Sequence, residues 1–472
     1  MNSQFTFGVE IELAVALVLE DQEHPDPSET RTVIFPATDS PDDISNIYRQ
    51  PGRPPLPAVY YHPRIQNEFI RVIAEAGFRV SENVKDSKDL TSWSLTNDSS
   101  IGHPPDPTDE HPLEDDEGYH WTGVEVVSPA FLFCSESLDE VRRMCKLLSK
   151  HFKFVTNRTT GLHVHVGHAQ KGFNPIHVSQ ILAFFYCFEP QIDTVHPIHR
   201  YNHEFGKSMR DRCNYTKYFQ ETYGEVPSTL TVLTKLLTLK RSKPERLLGK
   251  LTSLTRVGAD GKMGNYNFNG VSTLPRRAAR PTIEFRQHEG TCDGERIIQW
   301  VKTVVGMLEF VESEDYASFA DLLTTVTQNE TWTKQGDGKD VEREEQMGPT
   351  LADRGWTVID LLEHIGLQEQ ADYYRGKTHK HNMPPRMRYR NILSPFRWKY
   401  AQRASRESEE YKTDDTWRRL FDKMLIVKNA SNLAGVECSF DEDGPLWPQH
   451  EASNYYHDED SNTSESESSL TL

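Results

Sequence analysis

The sequence predicts an α+β protein, on three observations. Several segments alternate apolar and polar residues with the period of a half-buried strand. Others repeat apolar residues every three or four positions, as helices do. The order is strand-rich and then helical, with long polar excursions between.

The elements follow in order. FTFGVEIELAVALVL near the start reads as a strand with an apolar residue at every second position. A Pro- and Asp-rich interval, about 21–57, reads as an insertion. Ile65, Phe69, Val72, Ile73 and Ala76 then recur at helical spacing and stop at Gly77. Short strands are expected at 78–84 and 90–95. The acidic segment 102–118 is a second insertion, and HWTGVEVVSP is a strand halted by Pro129. Ser137 with Glu140 three residues on fits a capping box, opening a helix that buries Leu138, Val141, Cys145, Leu148 and Phe152. TGLHVHVG is a short strand. Asn174-Pro175 starts a helix with Ile181, Phe184, Phe185 and Phe188 inward. The interval 200–275 has no single period. RPTIEFRQHEGT is a strand, followed by a helix with Ile297, Val301, Val304, Val305 and Leu308 on one face. These divisions predict a catalytic domain over 1–320, a helical C-terminal extension over 321–438, and a disordered acidic Ser-rich tail over 439–472.

Charge narrows the function. The net charge of −18 is concentrated: residues 102–118 and 439–472 together carry sixteen acids and no Lys or Arg. The remaining body is nearly neutral and has no electrostatic footprint for nucleic acid. The basic run 377–391 reads as a solvated face. Six widely spaced cysteines without a CxxC pair argue against a zinc knuckle or a disulfide scaffold. No apolar run is long enough to span a bilayer, and no basic segment followed by an apolar core opens the chain, so a cytoplasmic protein is expected.

Four strands share one peculiarity. Residues two apart in a strand stand side by side on one face. Glu10 and Glu12 are therefore together, opposite Phe7, Val9, Ile11 and Leu13. Glu125 opposes Val124 and Val126; His163 and His165 oppose Leu162, Val164 and Val166. Glu284, Arg286 and His288 oppose Ile283 and Phe285. A solvated face of an antiparallel sheet would account for any one of these. Adjacent carboxylates, however, repel and raise one another's pKa unless a cation lies between them. Acids, imidazoles and an Arg at the edge match the needs of a Mg²⁺–phosphate site, and His-x-His alone would equally serve zinc.

FGVEIEL, the segment 93–100 (WSLTNDSS), GVEVVSP, GLHVHVG and TIEFRQHEGT, in this order, resemble the putative amidoligase family. That family is similar to glutamine synthetase and glutamate–cysteine ligase. The resemblance spans roughly residues 5–312. It implies a curved, largely antiparallel sheet of the glutamine synthetase catalytic type with flanking helices. It further implies an ATP-dependent ligase that uses Mg²⁺ or Mn²⁺ and joins a carboxylate to an amine through an acyl-phosphate. The implied substrates are small molecules or peptides. Glu10, Glu12, Glu125, His163 and Glu284 would be metal ligands; Glu125, Glu284 and Arg286 would act in catalysis; Arg286 and His165 would contact the nucleotide. Asp98, Ser99 and Ser100 match a family element without an assigned role.

Two further groups are candidates for nucleotide contact. The glycines of VGADGKMGN would either form a plain turn or carry Lys262 to the phosphates. Arg276, Arg277 and Arg280 are either a solvated loop or a cluster that holds ATP or an acidic substrate. Cys292 reads as a packing residue, and His196 and His199 as turn residues. A metal-dependent hydrolase or phosphoesterase, and a non-catalytic nucleotide- or peptide-binding descendant of the fold, are the competing functions.

Overall fold

The structure is a computed structural model that describes residues 4–20, 22–35, 62–81, 90–98, 100–102, 118–168, 172–200, 205–224, 227–239, 244–259, 261–271, 281–315, 317–324, 357–375 and 377. Most of the two insertions, Arg276, Arg277 and Arg280, most of 321–438 and the whole of 439–472 lie outside the described residues.

A long first strand, β1 (Phe5–Leu19), organises the sheet. It pairs antiparallel with β4 (His120–Val127) on one side and β7 (Gly161–His168) on the other. Beyond β4 lies β3 (Ser94–Thr96); beyond β7 lie β9 (Thr282–Glu289) and β8 (Tyr266–Asn267). The order β3-β4-β1-β7-β9-β8 is antiparallel throughout. Three short strands also pair with β1: β2 (Val33–Phe35), parallel, and β5 (Phe131–Leu132) and β6 (Phe154–Val155), antiparallel. The protein is therefore mixed α and β, with a largely antiparallel sheet.

One face of the sheet is apolar across all the central strands, because paired residues in antiparallel strands point the same way. Val9 opposes Val164, Val164 opposes Phe285, and Phe285 opposes Tyr266. Two helices cover this face, α3 (Pro175–Ile192) and α8 (Gly294–Ser313). Phe185 of α3 packs on Phe285 and Tyr266, with centroids 5.1 and 5.0 Å away. Asn174 caps α3 by accepting from Ile176 N, as the Asn-Pro pair predicts. α3 is buried nearly all round, because α6 (Thr229–Thr238) and α7 (Pro244–Thr255) cover its outer side. These and the short α4 (Met209–Arg212) and α5 (Asn214–Tyr223) resolve the interval that showed no period. α1 (His62–Glu75) and α2 (Ser135–His151) flank the other end of the sheet, and Phe69 of α1 stacks on Phe152 at 3.7 Å. Two further helices, 358–364 and 368–374, pack near α8, where Lys302 and Gln299 meet Glu369. Among the described residues, no helix is long and apolar enough to cross a membrane.

Three local expectations are corrected. α2 begins at Ser135, two residues before the expected capping box, with no side-chain cap. Ser137 instead meets the Cys134 thiol, and Glu140 accepts from the Trp93 indole at 3.0 Å, so its carboxylate is committed to a tertiary contact. The strand expected at 78–84 is reduced, where described, to one bridge between Val80 and Trp93. His288 is on the helix-covered face and not beside Glu284 and Arg286. The cause is a β-bulge: Leu162 opposes His288 but Val164 opposes Phe285, so Arg286 and Gln287 together face one residue of β7. The extra residue flips everything after it. His288 consequently packs on His196 and Trp300 in the core, where burial pulls its imidazole down to about 4.

Gly123 of β4 is demanded by close approach: a Cβ there would stand 2.5 Å from the backbone oxygen of Asp98. Side-chain rotation cannot relieve a clash with backbone. Gly123→Ala is expected to destabilise the protein by about 1–3 kcal/mol in urea unfolding. A change under about 0.5 kcal/mol would show that the segment of Asp98 yields freely.

Candidate active site

The opposite face of the central strands carries the charged residues, and the register brings them together. Glu12 is paired with Glu125 across β1 and β4, Glu10 with His163 across β1 and β7, and His165 with Glu284 across β7 and β9. Four sequence-distant segments thus contribute a band of acids and imidazoles that steps diagonally across the strands. Thr96 of β3, opposite Glu125, and Asn267 of β8, opposite Glu284, extend the band at either end.

His163 is at the centre. Its Nδ1 is 3.1 Å from Glu10 Oε2 and 3.8 Å from Glu284 Oε1, while its Nε2 is 3.4 Å from Glu12 Oε1. His165 Nε2 stands 3.0 Å from Glu10 Oε1. Arg286 pairs with Glu284 through Nη1, which is also 3.5 Å from His163 Nδ1. Two sets of ligand-type atoms each lie within 4.8 Å of one another: Glu10, Glu125 and His163, and Glu10, His165 and Glu284. Glu10 belongs to both. Carboxylate oxygens with an imidazole suit a hard or borderline divalent cation, so the residues present fit such an ion.

Glu12 falls outside both sets. Its Oε2 accepts the Gly161 N–H at 2.6 Å, which fixes the carboxylate against the backbone beside the His163 ring. Glu125 accepts from Thr96 Oγ1 and Glu284 from Asn267 Nδ2, each at 2.7 Å. Neither Thr96 nor Asn267 stood out in the sequence, although each sits in strand alternation on the same face as its acid. Asp98 is spent locally, accepting from Ser100 N at 2.7 Å, and its charge still reaches Glu12. Lys262 is exposed, next to Gly261 at φ 76°. Arg280 is outside the described residues.

The bulge in β9 supplies a second layer. Arg286 O and Gln287 O leave the regular ladder there, and buried Arg200 donates to both, at 2.9 and 3.5 Å, and to Thr160 O at 3.4 Å. Burial draws the Arg200 guanidinium down to about 10 against the pull of Glu12. Arg286 N donates to Asn265 O at 2.9 Å and Arg286 Nε to Phe205 O at 3.3 Å. Asn265 and Gln287 in turn donate to the buried acids Glu189 and Asp193, at 3.1 and 2.7 Å. These contacts hold Arg286 by its carbonyl oxygen, its N–H and its side-chain Nε. Arg200 carries no sequence signal, since a 3-10 turn and tertiary contacts put it there.

The chain matches a family model described as putative amidoligase enzyme over residues 3–308, which takes in every strand of the site. It belongs to that family. A search of curated proteins finds no match. The family implies an amide-bond-forming ligase, and the amidoligase segment ends within α8, just beyond the last of the site strands.

Electrostatics divide the amidoligase acids into two kinds. Burial pushes Glu125 well above the usual carboxylate range, with the charges of Glu10 and Glu12 adding to it. Burial also raises Glu12, partly offset by His163. For Glu10 burial is outweighed by the His165 charge and the His163 hydrogen bond, and its carboxyl is held well below that range. Glu284 is likewise lowered, because His165 and Arg286 overcome its burial. The signs follow from proton linkage. Glu10 and Glu284 contribute stability that is present above the ordinary carboxylate pKa and lost as pH falls through their depressed values. Glu12 and Glu125 contribute stability that is full below the ordinary value and lost as pH rises through their raised ones.

Glu125→Gln imitates the protonated acid. In metal-free buffer it is expected to stabilise the protein by about 1–3 kcal/mol near pH 8, with the gain vanishing near pH 4. Urea titrations at both pH values check this. Equal destabilisation at both would mean that the site acids do not repel.

Proposed function

We propose that the chain is an ATP-dependent carboxylate–amine ligase that forms an amide or peptide bond through an acyl-phosphate. The observation that carries this reading is Glu10 shared between two ligand triads on one buried sheet face, with Arg286 alongside both. The family match supports the ligase class. A curved sheet of the glutamine synthetase type and a cytoplasmic location belong to the same proposal.

Glu10, Glu125, His163 and Glu284 would hold Mg²⁺ or Mn²⁺, with Glu12 and the Gly161 N–H fixing the orientation of His163. A divalent cation there would supply charge neutralisation for the polyphosphate. Arg286, steered by Glu284 and anchored to the Asn265 and Phe205 oxygens, would face the γ-phosphoryl oxygens. His165, Lys262 and Arg280 are the further nucleotide contacts. A substrate carboxylate oxygen forms the new P–O bond as the bond to the leaving ADP breaks. The amine nitrogen then attacks the carbonyl carbon, and phosphate departs. Glu125, a carboxylate on the same face as Glu10 and His163, would take the proton lost by the amine. Protein groups contribute position and field rather than a covalent bond.

A second reading, a metal-dependent hydrolase or phosphoesterase, draws on the same triads, since imidazole with carboxylate also suits zinc.

The test is incubation with ATP, Mg²⁺ and pooled amino acids or peptides, followed by mass spectrometry for condensed products and assay of phosphate. Amine-dependent ADP release with a product lighter than its parts by one water is expected. Tightly retained zinc with amine-independent hydrolysis would overturn it in favour of the second reading. Arg286→Lys, which keeps the charge but loses the planar fork, is expected to lower kcat at least 100-fold. Glu10→Gln is expected to weaken Mn²⁺ binding by calorimetry at least tenfold, since it removes the ligand common to both triads.

A further inference from the structure

Away from the sheet's charged face, two thiols meet where α2 crosses the start of α8. Cys145 is buried on the inner side of α2, and Cys292 is half-buried in the short segment that joins β9 to α8. The two elements approach closely there: a Cβ on Gly294 would stand 3.0 Å from Arg142 Cα. Cys292 Sγ lies 3.7 Å from the backbone oxygen of Cys145 and 4.0 Å from Ser149 Oγ. The two cysteine side chains are in contact where α2 meets this segment. That contact, more than burial, lifts the Cys145 thiol well above its ordinary value; the same contact, outweighing burial, lowers Cys292.

The packing interpretation of Cys292 does not explain this pairing. Apolar packing would be met equally by alanine or valine at 292, whereas here the partly buried Cys292 thiol donates to the backbone oxygen of the other cysteine. The remaining described cysteines lack this arrangement. Cys187 and Cys213 are buried on different elements, and Cys134 is exposed at the start of α2 beside Ser137. Nothing in the ligase chemistry uses either member of the pair.

We infer that Cys145 and Cys292 form an oxidisable dithiol, a modification site at which a peroxide converts two thiols to an intramolecular disulfide. Cys292, the less buried and more acidic partner, attacks a peroxide oxygen; the O–O bond breaks and a sulfenic acid and one water result. The Cys145 sulfur then attacks the sulfenic sulfur, an S–S bond forms, the S–O bond breaks, and a second water leaves. Both thiols are oxidised and one peroxide is reduced to two waters. The bond closes a chain segment running from Cys145 to Cys292, which contains β7, β8 and β9 and so half of the charged band. Its formation ties α2 to the segment that leaves β9.

Peptide mapping of the full-length wild-type protein after one equivalent of hydrogen peroxide tests this directly, with free thiols alkylated under denaturing conditions. The expected result is a cross-linked pair of peptides containing Cys145 and Cys292, two hydrogens lighter than their sum, reversed by dithiothreitol. Cys292→Ser, at a half-exposed position that tolerates the change, is expected to leave Cys145 fully alkylatable. Sulfenic or sulfinic Cys292 accumulating in the wild type with Cys145 still free would overturn the inference. So would a disulfide joining Cys292 to any other cysteine.

Discussion

Repulsion among buried carboxylates is the constraint on which the rest of this structure depends. Glu10, Glu12, Glu125 and Glu284 share one face of the sheet, with Arg286 and Arg200 as the nearby guanidiniums. Two unit charges about 4 Å apart interact by roughly 4 kcal/mol at the effective dielectric of a protein site. The Thr96 hydrogen bond that Glu125 receives is worth about 1 kcal/mol. Hydrogen bonding therefore cannot hold all four acids ionised. The proton affinities diverge in response: Glu12 and Glu125 are pushed up while Glu10 and Glu284 are held down. On the proposed reading a divalent cation would offset the same repulsion. The site is thus destabilised locally in a way that a metal relieves.

The scaffold exists to impose that crowding. β1 is the axis, because its residues Glu10 and Glu12 are neighbours of β7 and β4 at once. The apolar face beneath, clamped by α3 and α8, keeps the strands from sliding, since a slip of one residue would bury the acids and expose the core. The bulge in β9 has the subtler part. It leaves Arg286 on the charged face, turns Gln287 and His288 toward the helices, and frees carbonyls that Arg200 then satisfies. Arg286 is consequently held by its backbone and not only by its pairing with Glu284.

How much of this was readable in the sequence depends on how local each cause is. Side-chain alternation is a property of the strand itself, so Glu10, Glu12, Glu125, His163, His165, Glu284 and Arg286 were all assignable to one face. Their convergence needed strand order, which came from the family resemblance. His288 was misassigned because a bulge is a matter of register between two strands and leaves no mark in one of them. The start of α2 was missed for a similar reason: Glu140, which looked like half of a capping box, is claimed by Trp93 from a distant strand. Arg200, Asn265 and Glu189 act through the fold beneath the site, and no spacing or motif announces such residues.

The central claim is that these acids surround a divalent cation at the phosphates of ATP. Crystals grown with Mn²⁺ and a non-hydrolysable ATP analogue, measured near the manganese absorption edge, test it most directly. Anomalous density between Glu10, Glu125 and His163 or between Glu10, His165 and Glu284, with the γ-phosphate analogue facing Arg286, is the predicted result. Manganese or nucleotide bound elsewhere, with the charged face of the sheet filled by water alone, would contradict it.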